Sequence, residues 1–364
     1  MRELDAQAIE DLALCAAVLG TGGGGDPYIG KLMAIQAIKE YGPVKLCSLD
    51  EIDDDSLIVP SAGMGAPTVM VEKIPNGDEV IQAFRALESY LGHKIDYTMP
   101  IEAGGMNSTT PLTVAARLNL PLVDCDGMGR AFPEIQMVTH TIFGISATPF
   151  AMADEKGNAA LLNTINNRWT ETFARTVTVD MGCTAYIACY VARGKQLKQA
   201  AVAGSVTYAE QIGRTIREAQ AAHADVVEAV RAVTRGFRIF HGKVVDVQRR
   251  TVAGFARGEA VLDGTDEFAG RQMHIQFQNE HLIAMLDRQI VVTVPDLIAI
   301  LDAEKGEPIT TEGLRYGFRV VVLGIPCDPK WRSPDGLKLV GPRYFGYDVD
   351  YVPVEQRYAK RPSG

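Results

Sequence analysis

The sequence predicts an α/β protein. An N-terminal three-layer α/β domain on a mostly parallel sheet precedes a β-rich C-terminal domain, barrel- or sandwich-like. Three observations lead there. From residue 44 to about 172, short apolar runs alternate with segments of helical spacing, the order that right-handed crossovers turn into a parallel sheet. After an Ala-rich helical tract, Ala201 to Val233, short β-prone runs recur between Gly and Asp turns from about 236 to 330. Finally, 364 residues exceed what one ordinary core organises. The expected domains are residues 1–172 and 173–364.

In chain order, Ile9, Leu12, Cys15, Ala16 and Leu19 have the spacing of a helix that ends at Gly20. The loop GTGGGGDPYIG, Gly20 to Gly30, follows. A second helix runs from Tyr28 to Tyr41, with Asp26 as N-cap and Pro27 at its first position. Strands are expected at Val44–Cys47 and Ser56–Ser61, a helix from about Asp78 to Leu91, and a strand at Tyr97–Ile101. A helix from Pro111 to Leu118 leads to a strand at Pro121–Val123. Further helices are expected from Glu134 to about Phe143 and from about Ala159 to Arg175, with a strand at Phe150–Met152 between them. Ser205 is the expected cap of the Ala-rich tract. The second half offers strands at Phe237–Phe240, Val244–Val247, Thr251–Phe255, Glu259–Leu262, Gln272–Phe277, Leu282–Leu286, Ile290–Val294 and Arg315–Val322. The aromatic, Gly-rich tail from Leu339 to Asp348 is expected to pack back onto the first domain.

Composition narrows the function. Hydrophobic residues are 47% and charged residues 22%, the balance of a soluble globular protein. A net charge of -9 argues against nucleic acid or an anionic membrane as partner. No apolar run reaches the ~18 residues of a membrane span. Met1 to Asp5 is acidic, unlike a basic leader. The six cysteines form no C-x-x-C pair and read as reduced packing thiols. The expected setting is the cytoplasm, the expected partner a small-molecule substrate, and a homo-oligomer the default assembly.

The chemistry gathers in loops. PLVDCDGMGRAFPE, Pro121 to Glu134, carries Asp124, Asp126 and Arg130 around a Gly-Met-Gly turn. The strands ending near Met64–Gly65 and at Glu102 also emit Gly-containing loops, the second with Gly105, Asn107 and Ser108. On a parallel sheet these loops share one rim, where ligands of open α/β sheets bind. Four glycines, Gly22 to Gly25, before Asp26 offer backbone N–H groups as a nest for a carboxylate or oxyanion. Gly20–Gly25 fits G-x-G-x-x-G, and Gly25–Lys31 fits G-x-x-x-x-G-K. Both motifs need a preceding strand where a helix is expected, and Leu32 replaces the Ser or Thr that reaches magnesium. No nucleotide cofactor is therefore expected. The histidines show no metal-binding spacing. A divalent metal is left open, with Asp124, Asp126 and His140 as its ligands if one is used. Cys125 should face away from the acids on its strand. Cys183, with no histidine nearby in sequence, is a weaker nucleophile candidate.

Taken together, GTGGGGDP (20–27), MGAPTV (64–69), EAGGMNS (102–108), DCDGMGRAFPE (124–134) and GPRYFGYD (341–348) resemble the S-methyl thiohydantoin desulfurase family over nearly the whole chain. This bacterial family, formerly of unknown function, often lies beside hydantoinase/oxoprolinase-type enzymes. The resemblance implies an N-terminal α/β and a β-rich C-terminal domain. It also implies a hydrolase that releases a thiol from a small heterocycle, an S-methyl thiohydantoin of propionate type, by water attack at the thioether-bearing carbon. Cys183 stands where similar proteins carry glycine, against a family-wide cysteine nucleophile there. For such chemistry Asp124, Asp126 or Glu102 is the candidate base or acid. Arg130 or the Gly22–Gly25 amides would hold a substrate carboxylate, and Asn107 and Ser108 the ring amide. Asp26, Met64, Gly65, Gly105 and Glu134 complete the candidate substrate site. The alternative is a non-catalytic small-molecule-binding or partner subunit of a hydantoinase/oxoprolinase-type system.

Overall fold

The computed structural model describes residues 1–65, 69, 73, 75, 77–252 and 254–359. Ala66, Pro67 and Thr68 of the MGAPTV motif lie outside them, as does Ala253.

The first sheet is built from β1 (Arg2–Leu4), β2 (Val44–Cys47), β3 (Leu57–Gly65), β4 (Tyr97–Pro100) and β5 (Leu122–Val123). It is completed by β7 (Phe150–Ala153), β8 (Ala159–Leu162), β9 (Thr184–Ala188) and β10 (Ala192–Arg193). A separate short pair joins β6 (Cys125–Asp126) to β11 (Val202–Ala203). The sheet order is β1-β2-β5-β4-β3-β9-β7-β8, with β10 also on β3. β2, β5, β4 and β3 form the parallel core. The strands outside it pair antiparallel, and β9 reaches β3 from beyond residue 172.

Helices cover both faces. On β3, Ile58 and Val59 point to opposite sides, as the two-residue strand period requires. Val59 joins the core with Phe84 and Leu87 of α3 (Glu79–Leu91) and Val114 of α4 (Thr110–Leu118). Ile58 packs with Met99, Val123 and Leu197 of α7 (Gly194–Ala200). α1 (Ala6–Leu19) packs on α2 (Pro27–Tyr41) and on α8 (Ser205–Ala221). Asp26 caps α2 by accepting from the Tyr28 amide at 2.8 Å.

The second sheet is antiparallel throughout: β12 (Phe237–Val252), β13 (Phe255–Gly264), β14 (Gln272–Gln278), β15 (Glu280–Leu286), β16 (Gln289–Thr293), β17 (Leu297–Asp302) and β18 (Arg319–Ile325). In the order β16-β15-β14-β13-β12-β18-β17 it curls as a half-barrel around Phe240, Leu262, Ile275, Ala284, Ile300 and Val322. The curl brings non-neighbours together: His281 Nδ1 on β15 lies 2.9 Å from the Ile298 carbonyl on β17. The α/β-plus-β-rich class expected from sequence is the observed one.

Several elements differ from expectation. The segment Glu134–Phe143 is helical only in α5 (Thr139–Ile142), because tertiary bonds claim its first turn; Glu171 Oε2 accepts from the Ile135 amide at 2.9 Å. Ala159–Leu162 pairs with β7 as a strand. The helix then starts afresh as α6 (Asn167–Asp180), where Asn166 accepts from the Trp169 amide at 3.0 Å. The Ala-rich tract splits: Val202–Ala203 is strand, Gly204 (φ 70°) rather than Ser205 occupies the cap of α8, and Asp225 caps a separate α9 (Val226–Thr234). Three runs expected between Phe237 and Phe255 are one strand, β12, up to Val252. β17, buried along nearly its whole length, lacks the alternation that marks a strand in sequence. Among the described residues no helix is long and apolar enough to cross a membrane.

Candidate active site

The Gly-rich loop leaves a helix, α1, so its G-x-G-x-x-G pattern lacks the strand that dinucleotide binding requires. It serves instead as a wedge. The Gly24 carbonyl accepts from the Met106 amide at 2.9 Å, and a Cβ on Gly105 would lie 2.1 Å from the Gly24 carbonyl carbon. Two backbones touch there, and Gly24 (φ 80°) has no room for a side chain. On its other side the loop meets the second domain: Thr21 O accepts from the His281 amide and Gly22 O from the Thr311 amide, both at 2.8 Å.

Between these layers lies a cavity of about 70 Å³, several times what one water needs. The rim loops contribute Gly24, Gly25, Met64, Gly65, Glu102 and Asn107. The segment Phe132 to Ile135 forms one wall, Arg175 of α6 another, and Asn279 with Glu280 from the start of β15 a third.

Two buried glutamates dominate the electrostatics. Asn107 ties Glu102 to β3: its Nδ2 donates to Glu102 Oε1 at 2.6 Å and to Gly63 O at 3.1 Å, while its Oδ1 accepts from the Gly63 amide at 2.6 Å. Glu102 Oε2 and Glu280 Oε2 are buried without a hydrogen-bond partner. Burial raises Glu102 to about 8, Asn107 partly opposing. Burial, then the nearby charge of Glu102, pushes Glu280 well above the ordinary carboxyl range. Arg130 counters both, and burial lowers Arg130 itself to about 10. Desolvation and like-charge proximity thus keep a proton on this pair at neutral pH.

The remaining sequence candidates have other surroundings. Asp124 lies outside the cavity; it accepts from the Thr207 amide at 2.9 Å and from Thr207 Oγ1 at 2.5 Å, holding the first turn of α8. Asp126, fully buried, accepts from the Met128 and Gly129 amides at 3.0 and 2.7 Å and so shapes the Gly-Met-Gly turn. Burial raises Asp126 to about 7 against those two bonds. Arg130 is committed to structure: it donates to Pro295 O at 2.6 Å, Asp296 O at 2.9 Å and Thr21 Oγ1 at 3.1 Å, and its guanidinium stacks 4.3 Å from the Phe132 ring. Ser108 bonds the Gly105 carbonyl at 2.8 Å within its own turn. Glu134 lines the cavity, its carboxylate held by Tyr344 Oη at 2.7 Å and by Gln136. Tyr344 belongs to the tail, which does return to the first domain, as does Trp331 through its indole bond to Met128 O at 2.7 Å. Gly22 and Gly23 press on His281 and Glu280 rather than facing the cavity. Asp26 is spent as the α2 cap.

Asp124, Asp126 and His140 do not converge. Among the described residues, the one group of three metal-type side chains with mutually close donor atoms is half-buried His241 with exposed Asp266 and Glu267. His140 is buried, neither ring nitrogen has a partner, and burial lowers it to about 4, so it is a neutral core imidazole.

Glu280, Asn279 and Arg175 escaped the sequence reading. The available signal was Asn279-Glu280-His281, a polar triplet inside a series of apolar strand runs. Asn279 sits at φ 59° and locks the entry to β15 through its Oδ1, which accepts from the Ala256 amide at 2.8 Å.

Family models agree with this architecture. The S-Me-THD-like N-terminal domain matches residues 7–164 and the S-Me-THD-like C-terminal domain residues 165–354. The chain belongs to the S-Me-THD-like family. It is similar in fold to the crystal structure of a protein from Chromobacterium violaceum, with 24% identity and a TM-score of 0.81 over 97% of this chain and 100% of that one. No curated protein matches the chain.

Proposed function

We propose that this protein is a hydrolase acting on a small heterocycle of the S-methyl thiohydantoin class, releasing methanethiol and leaving the hydantoin. The observation that carries the reading is the placement of two buried carboxyls, Glu102 and Glu280, each with an unpartnered oxygen, in a small cavity lined by residues of both domains. Membership of the S-Me-THD-like family supports the ring chemistry.

The reaction needs water to add at the carbon bearing sulfur, a C–O bond to form and the C–S bond to break. One proton of water ends on the ring nitrogen and the other on the departing thiol. These roles fall to the singly protonated state of the two carboxyls, which forms as Glu102 gives up its proton near pH 8. The protonated member donates to the ring nitrogen as water attacks. The ionised member takes one proton from water and passes it to sulfur as the C–S bond breaks, and the hydroxyl's remaining proton returns to the member that protonated the ring nitrogen as the carbonyl forms, which restores the pair. Asn107 fixes Glu102 between the ring and β3, and the Gly24 and Gly25 backbone lets the ring approach closely.

The test is methanethiol release from an S-methyl thiohydantoin by the purified protein and by Glu102→Gln and Glu280→Gln. Either substitution should lower kcat by about 100-fold or more, and the double variant should be little worse than the singles. Unchanged turnover in both single variants would remove the pair from the chemistry. Thermal stabilisation by the hydantoin without turnover would turn the reading toward a binding subunit.

A further inference from the structure

Arg130, the arginine that the sequence put forward as anion holder, has its donors filled by the chain itself. A different arginine faces the cavity. Among the described lining residues Arg175 is the one cation, set against Glu102, Glu134 and Glu280.

Arg175 is built to hold a fixed pose. Its Nε donates to Glu171 Oε1 at 2.8 Å, one helical turn earlier, and its Nη2 to the Pro133 carbonyl at 3.1 Å. One guanidinium face stacks 4.5 Å from the Phe255 ring, and the side chain is only 14% exposed. Glu171 is anchored in turn by the Ile135 amide. Among the described residues Nη1 takes no acceptor. Arg175 is thus a largely desolvated, oriented guanidinium with an open donor edge at the wall of an otherwise acidic cavity. A planar carboxylate is the group whose geometry and charge fill such an edge. A neutral arm would leave the donors unmet, and a cationic arm would face Arg175 directly.

We propose that Arg175 is the specificity-determining residue of the cavity, and that it selects ring substrates carrying a carboxylate arm. The Glu171–Arg175 pair is formally neutral, so the ligand brings the negative charge, and discrimination rests on hydrogen bonds to a preorganised fork. Phe255 and Pro133 hold the fork in place from the two domains. The proposal builds on the ring assignment above, and it is read by binding rather than by turnover.

The experiment is calorimetry with a hydantoin bearing a carboxylate arm and with the same hydantoin as its primary amide. The proteins compared are the full chain and its Arg175→Gln and Arg175→Lys variants. The unmodified chain should prefer the acid by about 30-fold in Kd. Arg175→Gln should reduce that preference to below about threefold, and Arg175→Lys, which keeps the charge and loses the fork, should fall between. A structural loss would weaken both ligands together and leave the ratio intact, and that result overturns the proposal. So does equal binding of acid and amide by the unmodified chain. An intact acid preference without methanethiol release would overturn the hydrolase reading alone. Failure to bind either hydantoin would overturn both.

Discussion

Glu280 packs its carboxyl directly onto the backbone of Gly23: a Cβ on Gly23 would lie 2.0 Å from Oε1 and 2.6 Å from Cγ. Gly23 belongs to the loop between α1 and α2, and Glu280 opens a strand of the second sheet. The position of one half of the carboxyl pair is therefore set by the absence of a side chain in the other domain. Because Cγ and Cδ clash along with the tip, rotation of the end group alone cannot relieve Gly23→Ala. That variant should lose about 1–3 kcal/mol of stability and at least tenfold in methanethiol release. Adding Glu280→Ala should recover part of the stability, giving a coupling of about 0.5–3 kcal/mol. Denaturant melts of the four proteins in the cycle measure it, and strict additivity would show that the contact is not felt.

Stability should fall as the medium becomes alkaline. Burial raises Glu102 to about 8 and Asp126 and Glu312 to about 7. Each holds a proton in the folded state that the unfolded chain gives up near pH ~4. Their contribution is thus present at low pH and lost as pH rises through the folded values. His140 and His281, lowered to about 4 by burial, work in the opposite sense, adding stability as pH rises from about 4 to ~6.5. The two trends offset one another below ~6.5, and above it only the carboxyls still titrate. Tm should therefore drop between pH 6.5 and 8.5, and Glu102→Gln should make the drop shallower. Melts at constant ionic strength would contradict this if Tm rose across that window.

Asp124 holds the start of α8 rather than facing the cavity. Asp124→Ala frees the Thr207 amide and hydroxyl and should cost about 1–2 kcal/mol, as loss of a helix cap does. Methanethiol release per folded molecule should stay within about threefold. A loss of turnover as deep as that of Glu102→Gln would return Asp124 to the chemistry.

What the sequence discloses and what it hides follow a physical division. Local signals survive: α1 and α2 announce themselves by spacing and by the Asp26–Pro27 start, and the rim loops by glycines at the ends of short apolar runs. Glu102, Asn107, Met64 and Gly24 could be grouped because parallel strands place their carboxyl ends together. Glu280 could not, since it reaches the rim only through the curl of a sheet whose closure is written in distant pairings. Arg130 and Arg175 are indistinguishable by type; only the contacts to Pro295, Asp296 and Thr21 show that the first is already occupied. Ala159–Leu162 has helix-compatible residues and becomes a strand because β7 offers it an edge. The first turn expected at Glu134 yields to Tyr344 and Glu171, partners far along the chain.

The position of β9 bears on how the chain matures during synthesis. β9 lies between β3 and β7 in the first sheet, although it is made long after either. Until residue 188 has left the ribosome, β3 and the β7–β8 hairpin have no strand to join them, and both present raw backbone edges to their surroundings. The family boundary at residue 164 is thus a division of sequence and not of folding. A nascent chain stopped there would hold Glu102 on an unfinished sheet. The cavity itself waits for Glu280, so its lining is complete only after three quarters of the polypeptide has been translated.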